Sequence, residues 1–235
     1  MRFLLYLSIA GLSLASSSRA EPDGKPSQPT HAFLSVNVVP MSTGEPVLRD
    51  QTVLVRGGRI AQIGPSRTVR VPRGAIRIDG RGKYLLPGLA DMHVHLEHFD
   101  NPVYLKLFLV NGVTTVRNMD GRPHILDWKR QAAAGELDSP RIFTAGQVLD
   151  GSPPVRDDNI ALATPEQARA AVERQAAVGY DYIKVYTNLA PEAFEAIMAA
   201  ARMKSVPVAG HAPRAVGLDA FLASGVRSVE HLGDF

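Results

Sequence analysis

From residue 31 to residue 86, apolar and polar positions alternate in short runs: "HAFLSVNVVP", "TVLVRGGRIAQIG" and "AIRIDGRGKYLL". A period of two turns successive side chains to opposite faces of a strand, so this stretch predicts a small all-β module. Gly57 and Gly58 lie between two alternating runs and predict a tight hairpin. After Pro87 the pattern changes to helical stretches separated by short β-rich runs. "NPVYLKLFLVNG" carries an N-cap in Asn101, Pro102 at the first helical position and Gly112 as its stop. "TPEQARAAVERQAAVG" opens on Thr164 with Gln167 three residues on, a capping box, and closes on Gly179. "APEAFEAIMAAARM" and "AVGLDAFLASG" predict two more helices, the second ending at Gly225. Six strands are expected near 89–95, 114–119, 141–145, 182–186, 207–211 and 227–231. Such alternation predicts an α/β fold with a parallel sheet joined by right-handed crossovers.

The first twenty residues, "MRFLLYLSIAGLSLASSSRA", place Arg2 before an apolar run and end in small residues. That is the pattern of a secretory signal peptide cleaved after Ala20, and its apolar run is short of the roughly 20 residues that span a bilayer. Residues 21–31 are rich in Pro, Gly and polar side chains and read as a linker. An exported chain, periplasmic or secreted, is expected, with no membrane attachment once the leader is removed. The net charge of +3 includes Arg2 and Arg19, which leaves 24 basic against 23 acidic residues after cleavage. An almost neutral chain has no electrostatic footprint for nucleic acid. The absence of cysteine excludes a disulfide framework and a lipid-modified N-terminal cysteine.

The candidate chemistry begins at "LLPGLADMHVHLEHFD", residues 85–100. His93 and His95 are two apart at the end of an apolar strand and so share one face. An H-x-H pair alone is weak evidence for a metal, because spacing meets only one test of such a site. His211 and His231 strengthen it: they end the expected fifth and sixth strands, at the edge where a barrel places its active site. Lys184 lies in "YDYIKVY", with Ile183 and Val185 pointing the other way. A buried lysine must be paired, neutral or chemically modified.

Together "GLADMHVHL", "GVTTVRNMDG", "DYIKVY", "GHA" and "VEHLGDF" resemble the amidohydrolase superfamily, specifically its imidazolonepropionase-like and Xaa-Pro or Xaa-Arg dipeptidase-like branch. The resemblance runs from about residue 32 to the last residue. It implies part of a β-sandwich over 32–86 and an incomplete (β/α)8 barrel over 87–235. It also implies a binuclear centre in which His93 and His95 bind the more buried metal. A carboxylated Lys184 would bridge the two ions, and His211 and His231 would hold the second. The separation of 91 residues between His93 and Lys184 suits three βα units of about 30. Such metals, with zinc the default, would polarise a substrate carbonyl and activate a water for attack on a C–N bond. The implied substrates are small molecules, dipeptides or cyclic amides.

The family's remaining ligand, an aspartate ending strand eight, has no counterpart in this sequence. Asp234 follows the sixth strand and does not match it by position. A full barrel takes about 250 residues, whereas 87–235 holds enough for six strands, so a truncated enzyme is the expectation. An open sheet also exposes edges that invite pairing with another chain, a second copy included. A mononuclear deaminase or cyclohydrolase on the same fold remains open and would not need Lys184. So does an exported remnant or binding module without catalysis. His98 in the first βα loop, Tyr186 beside Lys184 on its strand face, and Arg117 are further candidates for substrate contact. Each has an ordinary alternative as a solvated loop residue, a packed aromatic or a structural ion pair. His31 and His124 carry no expected role.

Overall fold

A computed structural model of the chain describes residues 29–231. The expected leader, most of the linker and residues 232–235 lie outside that range. The chain divides after Pro87 into two compact units.

In the first unit, β1 (His31–Val38) pairs antiparallel with β2 (Leu48–Arg56), which turns back into β3 (Arg59–Pro65). The turn is Gly57-Gly58 with φ of 57° and 70°. Two positive φ values in succession make the twist-matched hairpin turn that glycine adopts most readily. β4 (Ile76–Asp79) and β5 (Tyr84–Leu85) run parallel to β1, giving one five-stranded sheet. Val36, Val38 and Val53 form its small core. His31 opens β1, so the strand begins at the residue expected to end the linker.

The second unit alternates strands and helices. In order these are β6 (Leu89–Val94), α1 (Leu105–Val110), β7 (Val113–Asn118), α2 (Pro123–Ala134) and β8 (Arg141–Thr144). There follow β9 (Leu149–Gly151), β10 (Ile160–Leu162), α3 (Pro165–Val178), β11 (Ile183–Val185), α4 (Pro191–Met203), β12 (Val208–Gly210), α5 (Leu218–Ala223) and β13 (Ser228–Val229). Every strand pair in this unit is parallel, in sheets ordered β6-β7-β8 and β10-β9-β11-β12-β13. A parallel bridge between Ala145 and Tyr182 links β8 to β11. Hence β6, β7, β8, β11, β12 and β13 are neighbours in chain order and match the six expected strands.

No backbone ladder joins β6 to β13 among the described residues, but side chains at the C-terminal ends of those strands meet. His93 Nδ1 lies 2.8 Å from Glu230 Oε2. Strands spaced about 4.8 Å apart bring the first and sixth this close only if the sheet curls strongly. Apolar residues on the outer face pack beneath the helices. Ile183 and Val185 sit with Val172, Phe194 and Ile197 in one core, and Val116 and Ile142 with Ile125 and Trp128 in another.

The helix signals act as read, with two refinements. Thr164 accepts a hydrogen bond from Gln167 N–H, and Gly179 closes α3 at φ 92°. Gln167 reaches back to Ala163 N–H and not to the cap itself. The Asn101-Pro102 start begins as a 3₁₀ turn, Pro102–Tyr104, before α1. Helix α2 is additional to the four helices expected. Its N-cap position is Arg122, which makes no side-chain cap, so its local signals reduce to Pro123 at the first position and Gly135 after the last. The short strands β9 and β10 are also additional, in a stretch rich in Pro and Asp.

Candidate metal centre

His93 and His95 surround Val94, whose side chain turns to the buried face. Their Nε2 atoms face each other at 3.3 Å. On the far side of each ring, His93 Nδ1 meets Glu230 Oε2 at 2.8 Å and His95 Nδ1 meets Glu97 Oε1 at 2.6 Å. An ionised carboxylate only accepts, so each Nδ1 carries the hydrogen and donates it. In neutral rings both Nε2 atoms then present lone pairs to one another, an arrangement that calls for a cation between them. Tetrahedral zinc bound at 2.0–2.1 Å sets two nitrogens about 3.3 Å apart. The pair therefore fits a divalent metal, with each histidine oriented by a carboxylate behind it, as metal-binding imidazoles usually are.

His211 follows β12 and His231 follows β13. Their ring centroids are 5.2 Å apart, and His231 lies 4.4 Å from His93. His231 holds a positive φ of 62°, a conformation that non-glycine residues adopt chiefly where surrounding structure imposes it. Lys184, 2% exposed, rises from the middle of β11 on the face opposite Ile183 and Val185. All five residues and Tyr186 line one cavity. The glycine before His211 has a steric reason. A Cβ on Gly210 would lie 2.1 Å from the Val185 carbonyl oxygen, so a larger residue would push β12 away from β11 and carry His211 with it.

Two candidate residues are placed elsewhere. Arg117 does not line the histidine cavity: its guanidinium binds Met92 O at 2.7 Å, Ser228 Oγ at 2.9 Å and Glu230 Oε1 at 2.6 Å. That geometry makes it a support for Glu230. His98 is largely exposed and lies 3.4 Å from Glu97 Oε1. With His95 and Glu97 it forms a compact group of potential ligand atoms within 4.8 Å of one another. Because His95 gives Nδ1 to Glu97 and turns Nε2 toward His93, Glu97 acts there as an orienting acceptor.

Glu230 is the hub of the buried network. Burial alone would raise its carboxyl, but hydrogen bonds from His93 and Ser228 and the charge of Arg117 hold it down, to about 2. Behind the loop after β6, fully buried Asn118 accepts from Leu96 N–H at 2.7 Å. It donates to Asp120 O at 2.6 Å and Thr144 Oγ1 at 3.0 Å. Asn118→Ala is expected to leave these groups unsatisfied and to cost about 2–4 kcal/mol. A lowered denaturant midpoint with an unchanged m-value would show it; an unchanged midpoint would refute the role.

No family model matches the chain. Over 230 residues it is 28% identical to an adenine deaminase of Chelativorans sp., an overlap of 92% of this chain and 36% of that protein. It is 44% identical over 72 residues to an imidazolonepropionase of Aromatoleum aromaticum, covering 29% of this chain and 18% of the relative. Its fold has counterparts among solved structures. Bottromycin amidohydrolase superposes with a TM-score of 0.73 at 30% identity, over 87% of this chain and 43% of that one. This chain belongs to the amidohydrolase superfamily. A Xaa-Pro dipeptidase solved with methionine in its active site shares the fold at TM-score 0.72 and 22% identity, over 86% of this chain and 61% of that one. This amidohydrolase thus spans about a third of the curated adenine deaminase's length and 43–61% of these two solved chains.

Glu97, Asp120, Asn159 and Glu230 escaped the sequence reading of this amidohydrolase. Glu230 directly precedes His231 and Glu97 lies two beyond His95, so adjacency to a candidate ligand was the one signal available. Asp120 and Asn159 sit in loops with no periodic pattern. Among the described residues no helix is long and apolar enough to cross a membrane.

Proposed function

We propose that this amidohydrolase hydrolyses a C–N bond of a small amide, a dipeptide or a cyclic amide, at a centre of two divalent metal ions, most simply zinc. In this reading the curled six-stranded sheet is an arc of a (β/α)8 barrel, and the first unit contributes to a β-sandwich. His93 and His95 hold one ion, His211 and His231 the other, and Lys184, carboxylated, joins them. The opposed Nε2 atoms of His93 and His95, each backed by a carboxylate, carry the proposal. When bound, such metals polarise a carbonyl and lower the pKa of a water. The chain's own residues do the rest. Glu230 and Glu97 fix the tautomer and orientation of the two imidazoles, and Arg117 and Ser228 fix Glu230. Tyr186, packed edge-on against His211 at 4.4 Å, forms a wall for the substrate. The leader expected over residues 1–20 would export the enzyme.

The long overlap with adenine deaminase supports a second reading, deamination at a single metal. Lys184 distinguishes the two, since a mononuclear centre has no use for a bridging ligand. Metal analysis of the purified chain is expected to return two zinc equivalents. Chelation is expected to abolish release of amino acids from a dipeptide panel, and zinc to restore it. One equivalent with ammonia release from adenine would favour the second reading; no bound metal would refute both.

A further inference from the structure

The histidine cavity has another wall, formed by loops that follow β7 and β9. Asp120 and Asn159 line it, with Arg156 beside them. Asn159 is 6% exposed, and its Nδ2 donates to Asp150 Oδ2 at 3.2 Å. That bond settles the amide's orientation, because a carboxylate must face the nitrogen. Asn159 Oδ1 is left as a buried acceptor with no hydrogen-bond partner. Asp120, 1% exposed, pairs with Arg122, which also reaches Asp158 at 2.9 Å; Arg156 lies on Asp158 at 3.1 Å. Both guanidiniums are thereby engaged. Burial raises the Asp120 carboxyl and nearby Glu97 adds to that; Glu97 has a second buried acceptor, Oε2, without a hydrogen-bond partner. Asp120, Asp158 and Glu97 thus share the two guanidiniums, and the two unpartnered atoms here, Asn159 Oδ1 and Glu97 Oε2, are both acceptors. A buried acceptor without a donor is destabilising, and a ligand's N–H would relieve that.

We infer that this wall receives a protonated primary amine of the substrate, with Asn159 Oδ1 and the Asp120 carboxylate accepting its hydrogens. The inference rests on the hydrolase reading above and narrows it to substrates with a free amino group beside the bond that is cut. The amide would lie at the site the histidines form for metal while this wall holds the ammonium, so recognition and reaction share one cavity.

The test compares glycyl-proline with N-acetylglycyl-proline by calorimetric titration of the purified, zinc-loaded chain. Acetylation removes the charge and two donors, so the free amine is expected to bind at least about tenfold more tightly. Asp120→Asn and Asn159→Leu are each expected to erase most of that difference. The wild-type comparison needs no variant to fold, and Asp120→Asn changes no volume. Equal binding, tighter binding of the acetylated peptide, no binding of either, or discrimination that survives both substitutions would overturn the inference. Zinc content measured on the same samples separates the two proposals. A chain that discriminates without holding zinc keeps the amine site and loses the metal centre; a zinc-loaded chain indifferent to acetylation does the reverse.

Discussion

Lys184→Ala is expected to reduce bound metal below two ions per chain and to lower hydrolysis by about a thousandfold. The magnitude follows from several kcal/mol of metal-borne transition-state stabilisation at 1.36 kcal/mol per decade. Lys184 is among the largest fully buried side chains, set in a strand whose neighbouring residues Ile183 and Val185 belong to the helix-facing core. Keeping an ammonium in such a place is costly. Conversion to a carbamate, as proposed, would turn it into an anionic oxygen ligand in the cavity it shares with four histidines. Lys184→Met separates bridging from packing: it keeps the stem's volume, so it should fold as well as wild type yet lose metal as the alanine variant does. Unchanged metal stoichiometry and turnover in both variants would rule out the bridge.

Glu230→Ala carries the second large effect, on stability and on metal affinity at once. The carboxylate is 4% exposed and accepts hydrogen bonds from His93, Arg117 and Ser228. Removing it leaves the Arg117 guanidinium, itself mostly buried, without its counter-ion, a change that typically costs about 3–5 kcal/mol. It also releases the His93 ring, and losing such an orienting partner typically weakens metal binding about 10–100-fold. Chemical denaturation and competitive zinc titration read the two losses separately. Glu230→Gln keeps a carbonyl acceptor and should retain more stability than affinity. A Glu230→Ala chain with wild-type values for both would remove Glu230 from the account.

Much of the fold could be read locally. The six strands of the second unit fall where periodicity placed them, because each is bounded by a glycine, a proline or a change of period. The caps at Asn101, Thr164, Gly179 and Gly225 act within a single turn of chain and so leave their mark in a few residues. Helix α2 was not read although Pro123 opens it and Gly135 closes it at φ 74°, because Arg122 before it supplies no capping side chain.

The site divides along the same line. Two histidines on one strand face, two more at later strand ends and a lysine between apolar neighbours were legible because strand alternation alone decides which way they point. Arg117 was left open between substrate contact and a structural ion pair because its partner, Glu230, is 113 residues away. Nothing near "TTVRNMDG" announces Glu230. Chain order and the period of two specify which residues reach the C-terminal edge of the sheet. The curl of that sheet decides which of them touch, bringing the residues after β13 onto those of β6 and turning Glu97 and Glu230 from unremarked acids into the backing of the two facing histidines. Curvature is a property of all six strands packed beneath their helices, and no single segment encodes it.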